Sequence, residues 1–234
     1  MEDENDNGAN ESEGDDRIAA ASALESAKSF VARGPGPSGS SDGSSATFSS
    51  AFRALLEWAE ARGVIRTEAD FPFFCRPPDG HGNEHEAWFD EPSNRWYKAT
   101  YPNRFGLAWG RRGTATAAEY LTRLVLQNRY FGDDIQLISV VDCHQRMRVL
   151  TSQPHIAGEP ASCQEIQNWF SHLGFARLET RESVAWYRIR ENLLVADAHE
   201  GNIVHSLNDI LVPIDLNILQ PSGRLREWAL QAAH

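Results

Sequence analysis

The 234-residue sequence has only three cysteines and two methionines, no excess of basic charge, and no long apolar run. Cys75, Cys143 and Cys163 are odd in number and lack CxxC spacing, which excludes a readable disulfide framework or four-cysteine zinc site and fits a reducing cytoplasm. No stretch approaches the roughly 18 to 20 apolar residues that cross a bilayer, so no membrane partner is expected. The start, MEDENDNGANESEGDD, is acidic where a secretory leader is positive and then apolar. The formal charge is -11, and residues 1–16 hold eight of the 33 acidic groups and none of the 22 basic ones. The remaining 25 acidic and 22 basic groups nearly balance, which removes the phosphate-neutralising excess a general nucleic-acid binder needs.

What is present is a composition, 41% hydrophobic and 24% charged, that allows one globular domain or two small ones. Residues 1–48 join the acidic block to a Gly, Pro and Ser-rich stretch that buries too little apolar surface to offset the entropy of ordering it. A disordered tail is expected there, with transient helix at most over residues 19–31. Folding is expected to begin near Ser50, where Phe52, Leu55, Leu56 and Ala59 share a helical face.

Beyond this helix, residues 87–90 and 95–100 flank the turn-like Glu91-Pro92-Ser93-Asn94 and predict a hairpin. Tyr120, Leu121, Leu124 and Val125 form the stripe of a helix over residues 116–131, and strands are predicted at 135–141 and 147–151. A Pro and Gly-punctuated link, 152–160, leads to a helix with Ile166, Trp169, Phe170 and Leu173 on one face. Strands then follow at 184–189, 193–196, 203–205 and 210–214, before a closing helix at 224–233. This order predicts an α+β body with an N-terminal part, 49–151, and a C-terminal part, 152–234.

The chemically informative stretch is Val195-Ala-Asp-Ala-His-Glu-Gly-Asn202, followed by Leu211-Val-Pro-Ile-Asp215. Asp197 and Asn202 occupy a short loop in which Gly201 permits a tight turn, and Asp215, 18 positions beyond Asp197, ends an apolar strand. Two carboxylates and an amide are hard oxygen donors that suit Mg²⁺ with phosphates better than zinc. An upstream strand lysine, Lys98, shares a face with Trp96 and Thr100.

The Asp-x-His-x-Gly-Asn loop resembles that of aminoglycoside phosphotransferases and other protein-kinase-like enzymes. The looser pattern over residues 80–220, with Gly-x-Glu-His, Tyr-Lys and apolar-Asp-x-His-x-x-Asn segments, resembles the kinase-like domains of bacterial polyvalent proteins. The resemblance implies a two-lobed protein-kinase-like fold, ATP and Mg²⁺ as cofactors, and transfer of the γ-phosphoryl group to a hydroxyl on a protein or small molecule. It assigns Asp197 to the acceptor hydroxyl, Asn202 and Asp215 to the metal, and Lys98 to the phosphates with Glu119 as its partner. Gly82 would cover the phosphates, and the base would lie near Thr151 in the link. The sequence departs from the pattern in three places: it has no GxGxxG loop, Val195-Ala196 precedes Asp197, and Leu216-Asn217 follows Asp215. Roughly twenty residues follow Asp215, fewer than a full large lobe takes, so a reduced C-terminal lobe is expected.

Two other classes remain open at this level. The same residues could belong to a catalytically inactive interaction module. His81 and His85, with Glu84 and Glu86 beside them, could be ligands of a metal-dependent hydrolase. Glu119 also has a capping-box reading through Thr116, and Ser162 with Glu165 is read purely as a cap.

Overall fold

The computed structural model describes residues 23–33, 43–106, 108, 114–144, 146–179 and 184–233, with residues 43–49 described by backbone alone. Helix α1 (23–33) and helix α2 (Gly43–Arg62) precede a six-stranded sheet of order β1-β5-β6-β4-β3-β2. Its strands are β1 (Ile65–Thr67), β2 (Gly80–His81), β3 (His85–Asp90), β4 (Arg95–Thr100), β5 (Gln136–Cys143) and β6 (Arg146–Pro154). All neighbours pair antiparallel except β1 and β5. Helix α3 (Ala117–Phe131) starts at a Thr116 cap and ends at Gly132, whose φ of 68° suits the left-handed closing turn.

The expected disordered tail is corrected over residues 23–33. Leu24, Ala27 and Val31, spaced for one helical face, are at most 3% exposed and join Leu55, Trp58 and Tyr120 in the first core. Trp58 Nε1 also donates to Ser26 Oγ at 3.1 Å. Weak local propensity is overridden here because packing supplies most of a helix's stability. The rest of the expected tail, 1–22 and 34–42, lies outside the described residues. Helix α2 begins at Gly43, ahead of the expected Ser50.

The chain then builds β7 (Gly158–Pro160), α4 (Cys163–His172), β8 (Ala176–Glu179), β9 (Val184–Arg188), β10 (Leu193–Ala196), β11 (Ile203–Ser206), β12 (Leu211–Pro213), β13 (Asn217–Leu219) and α5 (Gly223–Ala232). These strands form a four-stranded sheet, β13-β10-β9-β8, and a three-stranded one, β12-β11-β7. The expected link at 152–160 is corrected, because β6 runs on to Pro154 and β7 joins the third sheet. Gly158 is required there: a Cβ would lie 2.2 Å from the His205 carbonyl oxygen of the paired strand. Phe170, stacked on Trp186 at 4.8 Å, centres the second core with Ile166, Val195 and Ile203. No helix among the described residues is long and apolar enough to cross a membrane.

Candidate active site

Strand register explains why residues 18 positions apart meet. Ala196 of β10 pairs with Asn217 of β13, so the loop opening at Asp197 and the segment ending in Asp215 emerge at the same sheet end. A backbone bond from Ile214 N to Asn202 O, 2.9 Å, joins the two. Asp197 leaves β10 with φ of 61°, a left-handed geometry that Asp tolerates better than most residues. Asn202 Nδ2 donates to the Asp197 carbonyl oxygen at 2.9 Å and fixes this turn, which turns the amide's Oδ1 to the role of acceptor. His199 is a loop-ordering residue: its Nδ1 accepts from Gly201 N at 3.0 Å, and its Nε2 lies 3.4 Å from Asp197 Oδ1.

Lys98 reaches the same place from the other sheet. In the middle of β4, between Ala87 and Thr151, it donates from Nζ to Gln153 Oε1 at 2.8 Å and to the Ile214 carbonyl oxygen at 2.9 Å. The amine is thus bonded to the residue next to Asp215. Burial pushes the Asp215 carboxyl up, but the positive groups around it, Lys98 foremost, outweigh this and hold it below its ordinary value. It is an anion at neutral pH. Lys98, Asp197, Asn202 and Asp215 line one cleft of about 510 Å³, with Gly80 and Gly82 on its rim. A Cβ on either glycine would meet nothing within 4 Å, so this rim has room above it.

Glu119 and Thr151 lie elsewhere. Glu119 closes the capping box, accepting from Thr116 N at 2.7 Å, and borders a separate cavity of about 70 Å³. Thr151 is 3% exposed and donates to the Lys98 carbonyl oxygen at 3.3 Å; it is absent from the cleft lining among the described residues. Lys98 is instead oriented by a chain of amides and one acid. Gln153 Nε2 donates to Asp133 Oδ2 at 2.6 Å, and Gln127 Nε2 donates to the same atom at 2.7 Å. Burial raises the Asp133 carboxyl above its ordinary value despite these donors. Gln127, 1% exposed, also accepts from Leu216 N at 3.3 Å and so ties α3 to the Asp215 segment.

Sequence reasoning missed a second charged element of the cleft. Arg123 on α3, 5% exposed, grips both carboxylate oxygens of Glu84 and lies over the Tyr120 ring at 5.3 Å. Burial works against its charge, and the Glu84 carboxylate more than offsets this, so the guanidinium stays protonated. Gly106, φ 80°, makes room for the pair, since a Cβ there would stand 2.5 Å from Glu84. His85 is buried beside them and shares a 2.9 Å hydrogen bond with Tyr120 Oη. The segment 80–85 is therefore fastened to α3 by two contacts. The signal was the Gly-x-Glu-His run itself; Arg123, set in an apolar stripe, gave none.

These contacts also correct the hydrolase reading of residues 81–86. His85 is engaged by Tyr120, Glu84 by Arg123 and Glu86 by Arg148, while His81 is exposed. No three His, Cys, Asp or Glu side chains among the described residues are grouped to hold a metal as a protein-only cluster.

Burial pushes His85 down from 6.5 to about 4. Because the folded value lies below the unfolded one, the neutral ring's contribution is full above about pH 6.5 and is lost as pH falls toward 4. The loss reaches roughly 3 kcal/mol at about 1.4 kcal/mol per pH unit. Denaturant titrations at pH 7 and pH 4.5 are expected to show this acid sensitivity in the wild type and a flatter profile in His85→Gln. Asp215, with its lowered value, adds stability that is lost in the same direction, below its ordinary 3.8.

No curated protein and no solved structure matches the chain. The model of one family, described as serine/threonine/tyrosine kinases found in polyvalent proteins, matches residues 52–219, from the second helix through the Asp215 segment. That span covers most of the chain, and the chain belongs to this kinase family.

Proposed function

We propose that the chain is an ATP- and Mg²⁺-dependent phosphotransferase that moves a γ-phosphoryl group to a hydroxyl of a protein or small molecule. In this reading the six-stranded sheet with α2 and α3 is the small lobe, and the two smaller sheets with α4 and α5 form a reduced large lobe. The observation that carries it is the convergence of Lys98, Asp197, Asn202 and Asp215 on one cleft from both sides.

The donor set fits the absent groups. Asp215, ionised and set beside an amine, and the Oδ1 face of Asn202 are oxygen ligands of the type a hard divalent ion takes alongside phosphates. Bound there, Mg²⁺ would neutralise charge on the phosphate oxygens during transfer. Lys98 Nζ would exchange its Ile214 contact for a phosphate oxygen while Gln153, held by Asp133, keeps it aimed, the part first given to Glu119. Gly80 and Gly82 leave space for phosphates under the loop that Glu84 and His85 fasten. Asp197, exposed at the cleft edge, orients the acceptor hydroxyl and takes its proton. Phosphoryl transfer asks mainly for positioning and charge neutralisation, so no protein nucleophile is required.

The test is transfer of label from γ-labelled ATP with Mg²⁺ to the protein itself or to mixed Ser, Thr and Tyr peptides. Transfer is expected in the wild type and a fall of at least about 100-fold in Asp197→Ala, in the range that general-base removal costs. Binding of Mg-ATP without any transfer would instead favour the inactive interaction module.

A further inference from the structure

A second cavity lies beyond Asp197. About 280 Å³ in volume, it is walled by Ile166 and Gln167 of α4, Val184 and Trp186 of β9, and Ala198 of the loop, with Cys163 and Arg177 also in its lining. Asp197 and His199 border both this cavity and the nucleotide-side cleft, so one carboxylate stands at the junction of two spaces. We infer that this cavity is the acceptor subsite and that it takes the phenol ring of a tyrosine, presenting its hydroxyl to Asp197. The inference rests on the phosphotransferase reading given above.

Its wall is mostly carbon. The Trp186 ring is held rigid by its stack on Phe170, 4.8 Å apart at 10°, and Ile166 is 3% exposed. A polyhydroxylated acceptor would lose hydrogen bonds to water here without replacing them. A polycationic one would find Arg177 in the lining and no carboxylate but Asp197 among the described lining residues. The volume falls near the lower limit of ligand pockets, about 300 Å³, and is ample for one ring with its short stem. Serine or threonine, whose hydroxyl is one carbon from the backbone, would reach Asp197 only by leaving these walls uncovered. A ring spans the distance and covers apolar surface at the same time.

The experiment compares two peptides with the same flanking residues and Tyr or Ser at the centre, using wild type, Val184→Phe and Gln167→Trp. Both substitutions fill the cavity, one from the strand and one from the partly exposed face of α4. Wild type is expected to prefer the Tyr peptide by about 100-fold in kcat/KM, a ratio that an apolar pocket can deliver. Each filled variant is expected to bring the Tyr peptide near the Ser level while Mg-ATP affinity and Mg-dependent ATP hydrolysis stay unchanged. Equal use of the two peptides by wild type, or undiminished Tyr transfer in both filled variants, would overturn the assignment while Mg-ATP binding continued to support the cleft. Failure of the wild type to bind Mg-ATP would overturn the phosphotransferase reading and the acceptor subsite with it.

Discussion

In Asp215→Ala, phosphoryl transfer is expected to fall by a factor on the order of 1,000 or more, equivalent to several kcal/mol of transition-state stabilisation. The carboxylate sits one residue from the carbonyl that holds Lys98, and it is the acidic group on which the surrounding positive field acts. Its removal takes away the proposed metal ligand and leaves Lys98 and Arg123 facing a cavity with less negative charge to balance them. The effect should therefore appear in kcat and in the Mg²⁺ concentration needed for half-maximal rate. Asp215→Asn, which keeps the shape, should lose nearly as much, because charge is what the position supplies. The fold should survive: Leu216 and Ile218, 1% and 2% exposed, anchor the segment in the second core independently of the carboxylate. Steady-state kinetics across a Mg²⁺ series, with circular dichroism on the same samples, checks both halves of this prediction.

Arg123→Met is expected to cost about 3 to 5 kcal/mol of folding stability, as breaking one side of a buried ion pair does. Glu84 is 15% exposed at its side chain and would keep its charge without the guanidinium that offsets it. Removing both partners together, as Glu84→Leu with Arg123→Met, should recover much of the loss, because the desolvated charge then disappears with its mate. Urea denaturation of the two single variants and the double variant measures the coupling. A functional consequence follows from position: Glu84 lines the cleft, so the stable double variant should bind Mg-ATP more weakly than wild type while its kcat changes less.

The elements nearest the chemistry were the most legible in the sequence. Helical periodicity located α3 and α4 because each buries one stripe, β10 stood out as a short, fully buried apolar run, and the turn-like residues 91–94 marked the hairpin of β3 and β4. Asp197, Asn202 and Asp215 were readable because a polar loop between two apolar strands has few structural reasons to carry those residue types together. Most of the shortest strands were not legible. β2, with two residues, and β1, β7 and β13, with three each, take their geometry from a partner strand, and no periodicity can show in so few positions.

Polar partners chosen by tertiary packing were equally hidden. Arg123 and Gln127 sit on α3 three and seven residues beyond Tyr120, at the spacing of its apolar stripe, yet their polar side chains read as surface until their partners Glu84 and Asp133 are known. The link from Lys98 through Gln153 to Asp133 depends on β4 pairing with β6 in a given register. Helix α1 was underestimated for a related reason, since its three buried residues become meaningful only against α2.

The central claim is that Lys98 and Asp215, brought together from two sheets, form a single Mg-ATP site. Isothermal titration of wild type, Lys98→Met and Asp215→Ala with ATP, in the presence and absence of Mg²⁺, addresses it most directly. Wild type should bind ATP in a Mg²⁺-dependent manner, Lys98→Met should bind at least about tenfold more weakly, the equivalent of about 1.4 kcal/mol, and Asp215→Ala should lose the Mg²⁺ dependence. Equal, Mg²⁺-independent affinity in all three proteins would contradict it.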